Sequence, residues 1–483
     1  MSGRKVHWFR RDLRLDDNTG WRQANADGSP VAGLFIFDDA LLAAAHTGAT
    51  PVDHLLGAVE SLARQFEQRG AQLYVRRGHP AQIVPQFAEE VGASLVTWNE
   101  DYSPYARRRD AEVAQACEAR GVATEATADL LVVRPGTVRK DDGGVPSVFS
   151  AFARRWRAGE IARPVGGAEP APAAVFGEVD PGILPSLEQL GFVREVPRIE
   201  LSEDAARESL SRFLDEGLAQ YASRRDLPGI AGTSRLSPHL KYGTISARTV
   251  LDGVRQVAGE KIFLLAPSRL PGGLSEAESE LARQSGTFVN ELIWREFYYA
   301  ILAEHPRVAT GAFRKDPPRW PVADPELVRL WKEGRTGFPI VDAAMRQLAT
   351  TGWMHNRVRM ICAMQLTKLM LVDWRVGEAH FRRKLIDGDL AANNGGWQWC
   401  ASTGTDAAPY FRIFNPWSQS RKFDPEGAFI REYVEELRDA PDDLVHEPHK
   451  DAFFLAQSGY PAPCIDYRAA RERALATLAP AKE

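Results

Sequence analysis

The chain has 483 residues, 44% hydrophobic and 26% charged, the balance of an ordinary soluble globular protein of roughly two to four domains, neither disordered nor fibrous. No apolar run approaches the ~18 residues of a membrane span, and the charged N-terminus up to Arg14 lacks the apolar core of a secretory signal, so a cytoplasmic protein is expected. The net charge of −4 excludes no partner, because phosphates are held by local basic patches; the scattered Cys117, Cys362, Cys400 and Cys464 form no C-x-x-C pair, so neither a zinc site nor a redox dithiol is indicated.

Residues 5–9 (KVHWF) read as a strand, and residues 31–37 (VAGLFIF) as a second whose continuous apolar run suits burial on both faces. Helical spacing covers 52–69. Short strands at 72–76 and 94–98 flank a helical stretch at 81–91, residues 105–120 read as a helix, and a last strand follows near Val122. Strands alternating with helices predict a parallel, doubly wound sheet, with ligands beyond the carboxyl ends of its strands. No G-x-G-x-x-G follows the first strand, so the dinucleotide fingerprint is absent.

Residues 158–200, with GGAEPAPAA and PGILPS, read as an irregular connector. From about Leu201 strand signals nearly vanish and helical spacing runs to the end of the chain, over a region large enough for an internal pocket. The expected organisation is an α/β doubly wound parallel-sheet domain at 1–135, a connector at 136–204 and an all-helical domain at 205–483.

Four segments carry chemistry. GTSRLS, ending at Ser237, offers amides, hydroxyls and a cation to a diphosphate, or a helix N-cap through Thr233 or Ser234. In NELIWREFY, helical spacing puts Glu291, Trp294, Arg295 and Tyr298 on one face; this is an aromatic stripe with an ion pair or, since aliphatic residues would normally fill a core stripe, a binding face. In TGWMHNRVRM, Trp353, Asn356 and Met360 share a face, Arg357 and Arg359 diverge, and His355 is a structural histidine. In LIDGDLAANNGGWQWCAS, Asp389 and Asn393 share a face while Trp397 and Trp399 point opposite ways; Asp387 and Asp389 resemble a metal pair but lack further ligands, so no metal is expected.

Together with HWFRRDLRLDDN, TGFPIVDAAMRQL and STGTDAAPYFRIFNP, these segments in fixed order closely resemble the photolyase/cryptochrome family over nearly the whole chain, and within it the class I cyclobutane-dimer photolyases. Two departures stand out: PSVFSAF replaces the usual Tyr and Thr-Pro, which bears on the connector, and Phe288 replaces a common Trp while keeping an aromatic ring. The resemblance implies FAD folded into a U in the helical domain. It places Tyr221, Thr233, Ser234, Arg235, Leu236 and Ser237 at the diphosphate, and Arg295, Asn356, Arg359, Asp387, Asp389 and Asn393 around the rest of the cofactor. Asn393 would set a neutral amide beside the flavin N5, where a carboxylate would repel a reduced anion; plant-type light sensors tend to carry Asp there.

The implied reaction is light-driven: excited reduced FAD passes an electron to a pyrimidine dimer flipped out of DNA, two ring bonds break and the electron returns. Trp294, Trp399, Asn356 and Met360 would line the dimer pocket, with Glu291 hydrogen-bonding a pyrimidine edge. Stacking there is worth about 1–3 kcal/mol per base. Arg225, Arg357, Arg412 and Lys422 would hold phosphates of UV-damaged DNA, single- or double-stranded, without reading sequence. Trp397, Trp374 and Trp320 match the family's three-tryptophan chain for reducing oxidised flavin; without the family they read as core aromatics. A monomer is expected.

Family members often hold a second, light-harvesting chromophore in the α/β domain. Folate-binding members carry an Asn-Glu pair where this chain has Tyr105 and Ala106. Deazaflavin-binding members carry an Asp after the fourth strand, here Asp101, and a Lys in PHLKYG, here Lys241. An 8-hydroxy-5-deazaflavin-type antenna is therefore expected, with FMN, an empty site or folate as alternatives; the bland reading of Asp101 and Lys241 is solvated surface charges or a weak inter-domain ion pair.

Overall fold

The computed structural model describes residues 3–165 and 175–479; the GGAEPAPAA run of the expected connector lies outside the described residues. The chain forms two compact units, one of residues 1–146, 150–219 and 234–306, the other of residues 147–149, 220–233 and 307–483.

The first unit contains a five-stranded sheet of β1 (Arg4–Phe9), β2 (Val31–Asp38), β3 (Leu73–Gly78), β4 (Ala93–Asn99) and β5 (Ala123–Thr127), in the order β3-β2-β1-β4-β5. Every pairing is parallel, and the helices Thr19–Asn25, Ala49–Gln68, Pro80–Glu90 and Pro104–Glu118 supply the crossovers. All eight residues of β2 are buried, as a strand covered on both faces requires. The strand order reverses between β1 and β4, which places the ligand-prone crevice beside Arg10 and Arg11 on one side and Glu100 and Asp101 on the other.

The connector reading needs one addition. Phe149–Ala158 is a helix, burying Phe152, Ala153 and Trp156 at helical spacing. Beyond it the chain is irregular and closes the β3 edge: Val75 N–H donates to the Pro181 carbonyl at 2.8 Å. Gly182, at φ +77°, packs so closely that a Cβ there would lie 2.1 Å from the Val75 oxygen. The unit also holds the helices Ser237–Tyr242 and Ala247–Ala258, and Glu276–Glu304, a 29-residue helix opened by a Ser275/Glu278 capping box.

The second unit has no strand among its described residues. The helices Pro325–Glu333, Pro339–Thr351, Asn356–Met364, Trp374–Lys384, Leu390–Cys400 and Pro416–Phe423 surround a core that includes Trp331, Phe338, Trp374, Trp397 and Phe429. Asn356–Met364 runs into a π-helical turn, Gln365–Leu369, buried throughout. No described helix is long and apolar enough to cross a membrane. An α/β doubly wound parallel sheet followed by a helical C-terminal region is the architecture read from the sequence.

Candidate active site

In the first unit, Glu291, Trp294, Arg295 and Tyr298 form the half-buried face of Glu276–Glu304, while Leu292, Ile293, Glu296 and Phe297 form its buried face. The Trp294 ring lies edge-on to Phe297 and tilted against Tyr298, each at 5.6 Å. Arg295 donates to the Leu130 carbonyl at 3.0 Å and sits over the Tyr299 ring. Glu296 fixes the rotation of this face. Its carboxylate accepts from Val132 N–H and Trp156 Nε1, each at 2.5 Å, and from Val133 N–H at 3.1 Å. Burial pushes its pKa up to about 7 against the pull of these donors.

In the GTSRLS loop, Arg235 has a left-handed backbone at φ 55° and Leu236 a right-handed one. Such alternation is a backbone form that can turn successive N–H groups to one side. Neither Thr233 nor Ser234 caps the following helix, whose N-cap is Leu236 without a side-chain bond; the Ser234 hydroxyl instead accepts from Leu236 N–H at 3.4 Å.

Arg11, a residue the sequence reading left unassigned, links the Asp101 carboxylate to the main chain at Lys241. Arg11 lies 3.5 Å from the Asp101 carboxylate, donates to the Lys241 carbonyl at 3.4 Å and to the Tyr299 hydroxyl at 2.8 Å. Burial alone would raise the Asp101 pKa, but the guanidiniums of Arg11, Arg10 and Arg109 hold it below the usual range. Asp101 is thus a partly buried, paired anion.

In the second unit the sequence reading requires correction at Trp353. The helix starts at Asn356, with the His355 imidazole as N-cap accepting from Arg357 N–H at 3.1 Å. Trp353 precedes it and shares no helical face with Asn356; Asn356 and Met360 do. Asp389 likewise lies outside the Leu390–Cys400 helix as its N-cap, accepting from Ala392 N–H at 3.1 Å. Arg359 pairs with Asp387 at 2.8 Å and donates to the Met354 carbonyl, also at 2.8 Å, tying two helix starts together.

Asn393 is clamped. Its Nδ2 donates to the Glu378 carbonyl at 3.1 Å and to Glu378 Oε1 at 3.0 Å, which leaves the amide oxygen as the acceptor available to a cofactor. Burial raises the Glu378 pKa, opposed by Arg382 and by Asn393 itself. Trp397, on the same helix, is buried against Phe381 at 5.0 Å and Trp331 at 6.0 Å. It also lies against Gly377, where a Cβ would stand 2.0 Å from its ring. Trp399 is partly buried, the difference expected of two positions pointing opposite ways. Trp374 opens the Trp374–Lys384 helix in the same core, and Trp320, packed against that core, donates from Nε1 to the Thr367 carbonyl at 2.9 Å.

Tyr221 is buried beneath the Arg225 guanidinium. Asp226 gathers the cations: its carboxylate is 2.7 Å from Arg357 and 3.8 Å from Arg225. Arg357 and Lys422 both lie over the Phe423 ring, at 4.5 and 5.1 Å. Arg412 stands exposed on a separate stretch.

Two family models match, one described as DNA photolyase over residues 5–173 and one as the FAD binding domain of DNA photolyase over residues 288–480. The deoxyribodipyrimidine photo-lyase of Halobacterium salinarum is 41% identical, with 98% of each chain covered. The chain belongs to the DNA photolyase family. Among solved photolyases, a bacterial class III enzyme from Agrobacterium tumefaciens superposes with a TM-score of 0.86 at 31% identity, covering 99% of this chain and 97% of that one. An archaeal photolyase from Sulfolobus tokodaii, described as holding two FAD molecules and implying a novel light-harvesting cofactor, gives 0.82 at 31% identity, covering 98% and 99%.

As a photolyase, the chain carries an FAD-binding domain, and its residues fit that group. A clamped neutral amide, a partly buried Arg359–Asp387 pair and the cation and hydroxyls of the loop that turns left-handed at Arg235 suit, in turn, a flavin edge, polar cofactor groups and a diphosphate. Sequence reading missed Glu378, Arg11 and Asp226. Glu378 carried one local signal, four residues before Arg382 on a helical stretch, and Arg11 lay inside HWFRRDLRLDDN.

Proposed function

We propose that the protein is a class I deoxyribodipyrimidine photo-lyase that repairs cyclobutane pyrimidine dimers in DNA under light. Reduced FAD, when bound, would supply the photoexcited electron that splitting the dimer requires. The observation that carries the reading is the Leu390–Cys400 helix, which starts on Asp389 and holds Asn393, Trp397 and Trp399 in one element. Glu378 keeps the Asn393 amide from rotating, so its oxygen serves one partner and no carboxylate repels a reduced anion.

Tyr221, Thr233, Ser234, Arg235, Leu236 and Ser237 hold the diphosphate, while Arg295, Asn356, Arg359, Asp387 and Asp389 hold the remaining polar groups of FAD. Trp294 and Trp399 stack on the dimer bases, Met360 and Asn356 wall them, and Glu291 accepts from a pyrimidine N–H. Arg225, Arg357, Arg412 and Lys422 bind phosphates of a single- or double-stranded substrate. Trp397, Trp374 and Trp320 would relay electrons from an external reductant at the surface to oxidised FAD. In functional terms residues 1–135 hold the antenna, 136–204 connect, and 205–483 bind FAD and DNA; the protein acts as a cytoplasmic monomer.

The test is repair itself. FAD-loaded, reduced protein under blue light should restore the thymine absorption of UV-irradiated oligo-dT, and Glu291→Ala should slow this while keeping FAD bound, because a buried pyrimidine edge loses its partner. Neither binding nor repair at full FAD occupancy would end the assignment.

For the antenna we infer an 8-hydroxy-5-deazaflavin-type chromophore, favoured over FMN, an empty site or folate. The Asp101 carboxylate, held by Arg11 next to the main chain of Lys241, supports a tricyclic polar ligand through hydrogen bonds. Reconstitution with deazaflavin, FMN and folate, read by energy transfer to FAD, decides among them. Tight folate binding without flavin-like binding would overturn the reading.

A further inference from the structure

Lys368 is a buried cation to which the repair chemistry gives no task. It belongs to the π-helical turn Gln365–Leu369 and is fully buried. π-Helical turns within helices recur at functional sites, and burying an ammonium costs several kcal/mol unless its hydrogens are bonded. The Lys368 Nζ donates to the carbonyls of Pro409 at 3.1 Å, Tyr410 at 3.5 Å and Arg412 at 2.8 Å. An ammonium has three hydrogens, and all of its acceptors fall within residues 409–412, a stretch outside any helix or strand. Burial draws the Lys368 pKa down to about 8, with Cys400 opposing and Arg412 and Arg314 assisting, so the group is charged at neutral pH. The stretch it holds presents Phe411 and Arg412 to solvent.

We propose that Lys368 is a positioning residue for DNA binding, fixing through these three carbonyls the backbone from which Arg412 reaches a phosphate. The proposal rests on the DNA reading of Arg412 given above. A neutral apolar side chain at 368 would leave three carbonyls without their donor. Since their stretch lies at the surface, they would turn to water, and the stretch would loosen while the core stays packed.

The test compares FAD-loaded Lys368→Met, Arg412→Ala and the double variant. Hydrogen exchange at the Arg412 and Ile413 amides, bonded to the carbonyls of Pro409 and Phe411, reads the anchoring. The Kd for a dimer-containing oligonucleotide reads its consequence, and repair at saturating DNA with the FAD spectrum reads the integrity of the site. Lys368→Met is expected to speed exchange and weaken Kd, each by about tenfold, the equivalent of one hydrogen bond to a charged group. Repair at saturation should hold, and the double variant should bind no worse than Arg412→Ala. Unchanged exchange in Lys368→Met overturns the anchoring whatever Arg412 does, and additive losses in the double variant overturn the route through Arg412. If Arg412→Ala alone leaves Kd unchanged, the DNA reading of Arg412 has failed and with it the consequence for DNA, while exchange still decides the anchoring. Should Lys368→Met fold poorly, Lys368→Gln, with one donor group, is expected to fall between it and the parent; exchange equal to the parent's would count against the anchoring.

Discussion

Glu296→Gln isolates the group that sets which face Glu276–Glu304 presents. Three N–H donors surround the Glu296 carboxylate. A glutamine answers them with one oxygen and turns an –NH2 towards another donor, an arrangement costing about 1–3 kcal/mol. Titration adds a pH-dependent part. Burial raises the folded pKa from 4.5 to about 7, so the native state binds a proton that the unfolded chain has released. Stability from this group is therefore fully present below the unfolded pKa and is lost as pH rises through the folded one. At ~1.4 kcal/mol per pKa unit the total is about 3 kcal/mol, most of it lost between about pH 5 and pH 8. Glutamine carries no such dependence. Urea unfolding of both proteins across this range, followed by tryptophan fluorescence, should show the wild-type advantage shrinking by that amount. A constant difference, within about 0.5 kcal/mol, would refute the argument that burial outweighs the three donors.

Gly377→Ala removes a helix-interior glycine and should add about 1 kcal/mol of helix propensity. The new Cβ, 2.0 Å from the Trp397 ring and 2.7 Å from Leu366, should instead give a net loss of about 1–2 kcal/mol from overpacking. Photoreduction of oxidised FAD should slow while repair by chemically reduced protein is kept; a stabilised protein with normal photoreduction would show that the contact is inconsequential. Trp374→Phe should keep the fold and sharply reduce photoreduction, again sparing pre-reduced repair, and transient absorption on oxidised protein checks it. Asp226→Asn removes the carboxylate 2.7 Å from Arg357. It should tighten binding of undamaged single strands a few-fold and steepen the log Kd against log salt slope by about 0.7; weaker binding would mean that Asp226 orients Arg357 rather than competing with phosphate.

The sheet was legible because its signals are local: β2 is a continuous apolar run, and alternating strands and helices leave few topologies. The Glu291–Tyr298 face was legible for the same reason, as helical period separates it from Leu292, Ile293, Glu296 and Phe297. The error at Trp353 came from carrying that period across a break. Gly352, at φ 66°, ends the preceding helix, and His355 caps the next; a glycine followed by a fresh cap is a readable stop signal. Arg11, Asp226 and Lys368 were not readable in this way. Each acts on groups distant in sequence, Arg11 on Asp101 and Lys241, Asp226 on Arg357, and Lys368 on residues 409–412, and no periodicity encodes such pairings. The motifs named Asn393 and its neighbours, charged residues included; the Glu378 carboxyl that holds the Asn393 amide became visible only in three dimensions.

The irregular chain laid along β3 has a bearing on association. An open strand edge is a template on which another strand, including one from a second copy, can continue the sheet. Here Pro181 already occupies the Val75 donor, and Gly182 is pressed against the Val75 oxygen so closely that any side chain would lift the chain away. The segment that joins sheet to helices therefore also works as a gatekeeper, and its sequence is constrained at Gly182 even though it forms no regular element. Substituting that glycine would unseal the edge, and its first symptom would be self-association of a protein whose cofactor and substrate residues are all intact.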